Sequence, residues 1–365
     1  MSLLKKGFRP WKRPIQSYEE FWRWFRGQEI SFLATLKNRQ HIERDLINKL
    51  SDKLSELRPG INFLAGMADE QVAEMIFTAD GNIKDFVFVE ELIAQAPSIP
   101  HWRFLAHKPA LNNPDFSVNM YERSFNAENI SFYYIEHPAY PDEIDVTFVY
   151  HSPDNEDINL VSNGILIFLD NYLGELNFAT QIDTFDLVNK VDAKQDLIPL
   201  AKLRSFLDWR EKEFIEKYQG TRYQTQEDTY SVLEGEIENG NPWLATVNAD
   251  LLEWDGKASH PWMMQIEIKY EGDQHQGLPN EADFQLLAQI EDDISQELKD
   301  FEGHLNLAHI TADGIRDIFF AHKDFRKPCR VLDSIKKKYR EQMTINFEIY
   351  KDKYWQTLHH LMQGI

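Results

Sequence analysis

Twice between residues 61 and 182 the chain reads strand, strand, helix, strand, and this order constrains the fold more than any motif within it. In the first unit, INFLAGM (61–67) and QVAEMIFT (71–78) are rich in residues that suit a pleated surface and are split by a short turn. TADG (78–81) follows. Asn82 then stands three residues before Asp85, the pattern of a helix cap, ahead of Phe86, Val89, Leu92, Ile93 and Ala96 at helical spacing. HWRFLAH (101–107) reads as the closing strand. In the second unit, ISFYYIEH (130–137) and EIDVTFVYHS (143–152) are separated by the turn residues Pro138, Pro141 and Asp142. A helix carries Ile158, Val161, Ile165, Phe168 and Leu169 on one side until Gly174, and ELNFATQI (175–182) is expected as the last strand.

Helices flank these units. Ser17 and Glu20 form a capping pattern ahead of Phe21, Trp22 and Phe25. A second helix is predicted from Ile42, Leu46, Leu50, Leu54 and Leu57, ended by Arg58-Pro59-Gly60. After the polar residues 183–195, Leu197, Leu200, Leu203, Leu207, Phe214 and Tyr218 trace a long amphipathic helix that closes at Gly220. The expected division is an N-terminal α+β domain over 1–195, a connecting helix over 196–222 and a C-terminal α+β domain over 223–365. The last domain opens with three strands and continues with an acidic helix capped by Asn280. A hairpin, a basic helix over 325–339, a strand over 343–350 and a terminal helix complete it.

TADG recurs at 311–314 between HLNLAHIT and IRDIFFAH, where Asp313-Gly314 is a strong signal for a two-residue hairpin. At 78–81 the same letters lead from a strand into a helix, so the tetrapeptide is turn chemistry used for two connections. A two-residue loop fixes the register: Thr311 faces Arg316, and His309 faces Ile318, on one surface of the sheet. Guanidinium, hydroxyl and imidazole together suit a carboxylate or phosphate, which makes Arg316, Thr311 and His309 candidate binding residues. The plain alternative is an Arg at a solvated hairpin tip.

Charge narrows the partners. The formal charge is −21, yet residues 1–26 and 323–353 each carry +5, which leaves −31 elsewhere. Such a body repels nucleic-acid phosphates and attracts a basic protein partner. With one cysteine, Cys329, no intramolecular disulfide is possible; the charged start and the short run GILIFL (164–169) fit neither a signal peptide nor a membrane span. A cytoplasmic protein with no membrane contact is expected.

Other templates for chemistry are weak. Glycine-rich phosphate loops, HExxH and cysteine clusters are missing from the sequence, so neither cofactor nor metal is expected. HSPDNED (151–157) offers His151, Asp154 and Asp157 as ligands but equally spells a loop. In FLDNYLGELNF (168–178), Asp170, Tyr172 and Glu175 gather where a helix ends, and paired carboxylates near a phenol can do acid–base work if partly buried. An acid at that helix end calls for a compensating partner to Asp170. Phe21, Trp22, Trp24 and Phe25 surround more than one side of their helix, so they are a candidate interface, homodimeric or with a partner.

At 243–361, PWLATVNADLLEW, GLPNEADFQLLAQIEDDI, HITADGIRDIFFAHKD and KDKYWQTLHHLM resemble the bacterial family called domain of unknown function 695. The resemblance rests on Gly-Leu-Pro before the acidic helix, the Thr-x-x-Gly-x-Arg hairpin, and a terminal Asp-x-x-Trp at Asp352 and Trp355. The N-terminal part resembles the companion domain found ahead of it in gut-type Bacteroidetes proteins. Similar domains resemble in layout the acidic ferredoxin-like regulators that inhibit a bacterial ribonuclease, a likeness of fold rather than of site. The expected fold class is α+β, with two or three ferredoxin-like (αβ-plait) modules of antiparallel sheet covered by helices. The leading expectation for function is a regulatory protein that binds a basic protein partner. The alternatives are a hydrolase-type enzyme acting through Asp170–Glu175 or Arg316–His309, and a homodimeric structural protein.

Overall fold

The computed structural model describes residues 13–113, 115–120, 122–151, 158–272 and 275–362; Asp154 and Asp157 of the candidate ligand loop lie outside them. It is a mixed α/β chain with several sheets, and its backbone forms two compact units.

The first unit takes the described residues up to Asn112 together with Leu169–Ala179. Helices α1 (Tyr18–Arg26), α2 (Glu29–Asn38) and α3 (Asn48–Leu57) precede β1 (Asn62–Met67) and β2 (Ala73–Thr78), an antiparallel pair. Helix α4 (Ile83–Ala94) then crosses over to β3 (Trp102–Ala106), which runs parallel to β2. Ser17 caps α1 by accepting from the Glu20 amide at 3.2 Å, while the Glu20 carboxylate accepts from Gln16. Phe21, Trp22, Trp24 and Phe25 are all buried. They pack edge-on against Phe32, Phe77, Trp102 and Phe104, and the Trp22 indole donates to the Leu92 carbonyl at 2.8 Å. The candidate interface is therefore core. Aromatics on several sides of α1 are accounted for by neighbours on several sides, from α2 to β3.

The second unit holds Asn113–Phe168 and Thr180–Ile365. A ribbon of β4 (Val118–Met120) and β5 (Arg123–Phe125) leads to β6 (Ile130–Ile135) and β7 (Asp145–Tyr150), an antiparallel pair. Helix α5 (Ile158–Leu173) and α6 (Glu175–Gln181) then lead to β8 (Thr184–Asn189), parallel to β7, and β9 (Ile198–Pro199) completes the order β8-β7-β6-β9. The expected strand over 175–182 is thus a helix, and the closing strand lies in the stretch read as polar. Leu176, Ala179 and Ile182 satisfy the helical spacing as well as the alternation does, and a run this short does not discriminate.

Helix α7 (Leu203–Tyr218) precedes a six-stranded sheet. Its strands are β10 (Tyr230–Glu236), β11 (Pro242–Asn248), β12 (Trp262–Lys269), β13 (His304–Ala312), β14 (Ile315–His322) and β15 (Thr344–Lys351). The order is β10-β11-β13-β14-β12-β15, antiparallel throughout, with α8 (Ala249–Glu253) after β11, α9 (Glu281–Glu297) between β12 and β13, and α10 (Arg326–Tyr339) between β14 and β15. Asp313 and Gly314 both have positive φ, 49° and 78°, the conformation a type I′ turn demands. Thr311 accordingly faces Arg316, and His309 faces Ile318. Helices α9 and α10 cover the face carrying these residues, with Leu287, Ile290, Ile294, Leu332 and Ile335 buried. On the opposite face Met263, Leu305, Phe319 and Ala321 pack with Leu251, Trp355 and Leu358.

A charged clamp joins the four-stranded and six-stranded sheets of this unit. Lys351 and Lys353 both reach Asp183, at 2.8 and 2.7 Å, and Lys353 also donates to the Asp142 carbonyl at 2.6 Å. The Asp142 carboxylate accepts from Tyr218, Tyr354 and Lys217. Burial lowers the Lys353 ammonium to about 8 against the pull of Asp183.

Candidate functional site

The six-stranded sheet ends at β10, and among the described residues no strand pairs with its outer edge. Ile237 donates to the Asn241 carbonyl and Ala249 to the Thr229 carbonyl, each at 2.9 Å, which fixes residues 229, 231, 233, 235 and 237 as those bonded to β11. The backbone N–H and C=O groups of Tyr230, Val232, Glu234 and Glu236 therefore point outward from the sheet edge. The side chains of these same four residues are exposed, 53% for Tyr230 and 71% for Val232. Neither proline, lysine nor bulge interrupts the strand, the usual devices that keep an edge from pairing. On the same face, Leu244 of β11 is 37% exposed and Phe284 of α9 is 52% exposed. The result is an open strand edge bearing two carboxylates beside scattered apolar surface.

Next to it lie the predicted binding residues. Glu291 of α9 reaches down to His309 Nδ1 at 3.1 Å and accepts from the Asn306 amide at 2.9 Å. Burial pushes the Glu291 carboxyl up, but the hydrogen bond and charge of His309, with Asn306 and Arg316, outweigh it and hold the group below its ordinary value. Arg316 is buried, its Nε donates to Thr311 Oγ1 at 2.9 Å, and its guanidinium lies 5.7 Å from the Phe284 ring. Thr311, Arg316 and His309 thus come together as their spacing predicts. Glu291 supplies the negative charge that an outside carboxylate or phosphate would have brought.

Asp170, Tyr172 and Glu175 belong to the first unit. Glu175 is buried and accepts three backbone N–H groups: Ala79 at 3.2 Å, Gly81 at 3.0 Å and Lys108 at 3.1 Å. It anchors the first TADG turn, and its acceptors are filled by amides rather than presented to a substrate. Asp170 finds its compensating partner in Lys108, 3.0 Å away, and Lys108 also reaches Asp80 at 3.1 Å. Burial raises the Asp170 carboxyl, with the Lys108 bond opposing it. Tyr172 is half-buried. His107, at φ 63°, sits between Glu90 (3.4 Å) and Glu175 (3.8 Å) with neither ring nitrogen hydrogen-bonded.

Of these features the sequence announces β10 as a strand but not as a site. The signal for it is present in YSVLEGEI: alternation with both sets part polar, no proline and no lysine. Among the described residues no group of three or more His, Cys, Asp or Glu is arranged to hold a metal ion, and no helix is long and apolar enough to cross a membrane. Cys329 is buried.

The motifs behind the family resemblance hold the fold together. Gly277, at φ 85°, accepts at its carbonyl from the Gly314 amide (2.9 Å) and the Tyr270 hydroxyl (2.7 Å), and a Cβ there would lie 2.8 Å from the Asp313 backbone. Asn241 donates to the Asp313 carboxylate at 2.9 Å, closing the tip. Asp352 accepts from Gln356 and Thr357, and the fully buried Trp355 donates to the His260 carbonyl at 3.1 Å. Neither curated proteins nor solved structures give a match to the chain. Residues 235–362 match the model of a family described only as a family of unknown function, DUF695.

Proposed function

We propose that the protein is a regulatory interaction protein that binds an extended, basic segment of a protein partner by strand addition at β10. The observation that carries this reading is the outward backbone of Tyr230, Val232, Glu234 and Glu236, flanked by exposed carboxylates and apolar side chains. Main-chain pairing at such an edge supplies affinity, and alternate side chains supply choice of partner. Glu234 and Glu236, on a chain of formal charge −21, favour lysine and arginine opposite them. Two β10 edges paired with each other would bring like charges together, which favours a foreign strand over a second copy. In this reading the β-α-β-β-α-β run from β12 to β15 is a ferredoxin-like plait lengthened by the β10–β11 hairpin, in a cytoplasmic protein.

The test is fluorescence polarisation with labelled decapeptides that alternate valine with lysine or with glutamate, at about 50 and about 500 mM salt. The lysine peptide binds at low salt and weakens at high salt, and the glutamate peptide does not bind. Val232→Pro removes only an outward N–H, so the strand keeps its bonds to β11 while the docked strand loses one. Equal binding of both peptides, or unchanged binding to Val232→Pro, refutes the proposal.

A further inference from the structure

A cavity of about 300 Å³ lies between the β6–β7 connection and α7. Its apolar wall is Phe206 of α7 stacked on Tyr134 of β6, with ring centroids 4.8 Å apart, and it is extended by Ile144 and Pro141. Its polar wall gathers Glu136, His137, Glu143, Asp145 and Arg210. Three of these are committed to one another or to the backbone. His137 Nε2 is 2.9 Å from Asp145 Oδ2, and Arg210 donates to the carbonyls of Pro141 (2.7 Å) and Glu143 (3.3 Å).

Two carboxylates keep accepting capacity. Glu143 Oε1 takes the Gln356 amide while Oε2 has no donor among the described residues, and Glu136 stands exposed at the rim. Burial, with Asp183 nearby, pushes the Glu143 carboxyl up against the opposing pull of Gln356 and His137. Its three carboxylates, Glu136, Glu143 and Asp145, outnumber its one guanidinium, Arg210, so the cavity suits a further donor carrying positive charge. The volume is at the lower end for small-ligand sites, which pair an apolar wall with a few convergent polar groups.

We propose that this cavity binds a small organic cation, an amine or guanidinium on an apolar or aromatic stem, with the stem on Tyr134 and Phe206 and the head at Glu143 and Glu136. Nothing in it depends on docking at β10.

The experiment is calorimetric titration of the full chain with phenethylamine and with agmatine, using 2-phenylethanol as the neutral control. Both cations saturate one site, and the alcohol binds at least about tenfold more weakly. Glu136→Gln and Phe206→Ala each weaken binding by about fivefold or more, whereas Glu297→Gln, exposed on α9, leaves it unchanged. Glu136 is exposed, so its variant folds even if Glu143→Gln does not. N-acetyl-arginine amide binding as tightly as agmatine assigns the cation to a peptide side chain; its failure assigns it to a free small molecule. Equal affinity for the alcohol, wild-type affinity in Glu136→Gln and Glu143→Gln together, or no saturation by either cation up to about 10 mM overturns the proposal.

Discussion

Acid should destabilise the second unit mainly through three clustered histidines, with His151, lowered by burial and by Lys190, adding to the slope. His260 and His322 are fully buried and His304 nearly so, with His304 Nδ1 3.1 Å from His322 Nδ1 and His260 Nδ1 2.9 Å from Ser259 Oγ. The Nε2 atoms of His260 and His322 have no hydrogen-bond partner among the described residues. Burial lowers His260 to about 3, aided by Lys323; it lowers His304 to about 4, aided by Lys327 and opposed by Glu302 and Asp324. Burial holds His322 well below 6.5, with its two histidine neighbours adding to the effect. In the unfolded chain each titrates near 6.5, so below that pH the unfolded state binds more protons and stability falls as pH falls. Each histidine contributes a slope of up to about 1.4 kcal/mol per pH unit, so the three together cost about 4 kcal/mol by pH ~5.5, a large part of an ordinary domain's stability. Asp142, Asp183 and Glu291 have lowered carboxyls and lose their contribution only below the ordinary carboxylate range, outside this window; Glu143 and Asp317 are raised and oppose the loss at its acid end. The assay is urea unfolding from pH ~7.5 to ~5, read by hydrogen exchange over residues 300–325 so that the second unit is followed by itself. His322→Asn should flatten the slope by about a third. A wild-type slope under about 1 kcal/mol per pH unit, or an unchanged slope in His322→Asn, refutes the reasoning.

Two further outcomes follow from buried charge. Glu175→Ala leaves three backbone amides without their acceptor and should destabilise the first unit by about 3–5 kcal/mol. Exchange over residues 78–82 and 106–109 should accelerate before the rest of that unit, and protection equal to wild type would show the carboxylate to be dispensable. Lys353→Met strips Asp183 and the Asp142 carbonyl of a donor and should cost about 3–5 kcal/mol, whereas replacing Lys351, Lys353 and Asp183 together by apolar residues should cost less. Urea midpoints of the two variants decide it, and a costlier triple variant would contradict the desolvation argument.

Local chemistry was legible where a short segment decides its own conformation. Asp313-Gly314 specifies its turn, the turn specifies the register, and the register brings Thr311, Arg316 and His309 together. The need for a partner to Asp170 was also readable, from the helix end alone, and Lys108 meets it. What decided between strand and helix at 175–182 was not local. Glu175 is drawn to amides at 79, 81 and 108, and no window of neighbouring residues contains them. The aromatics of α1 misled for a related reason: composition reports that they must be covered, and only the tertiary fold says that Phe77 and Phe104 cover them. The β10 edge required knowing that no described strand pairs on its far side, a property of sheet order.

The clamp at Asp183 bears on where one building block of this protein stops and the next starts. The segment that matches a family, 235–362, contains Lys351 and Lys353, while Asp183, which neutralises them, and Asp142, whose carbonyl accepts from Lys353, lie upstream of it. Heredity and cooperativity therefore draw different borders here. The module recognised by the family model is smaller than the compact unit that contains it, and a fragment cut at the family's edge would carry two lysines shaped for an acid it no longer possesses.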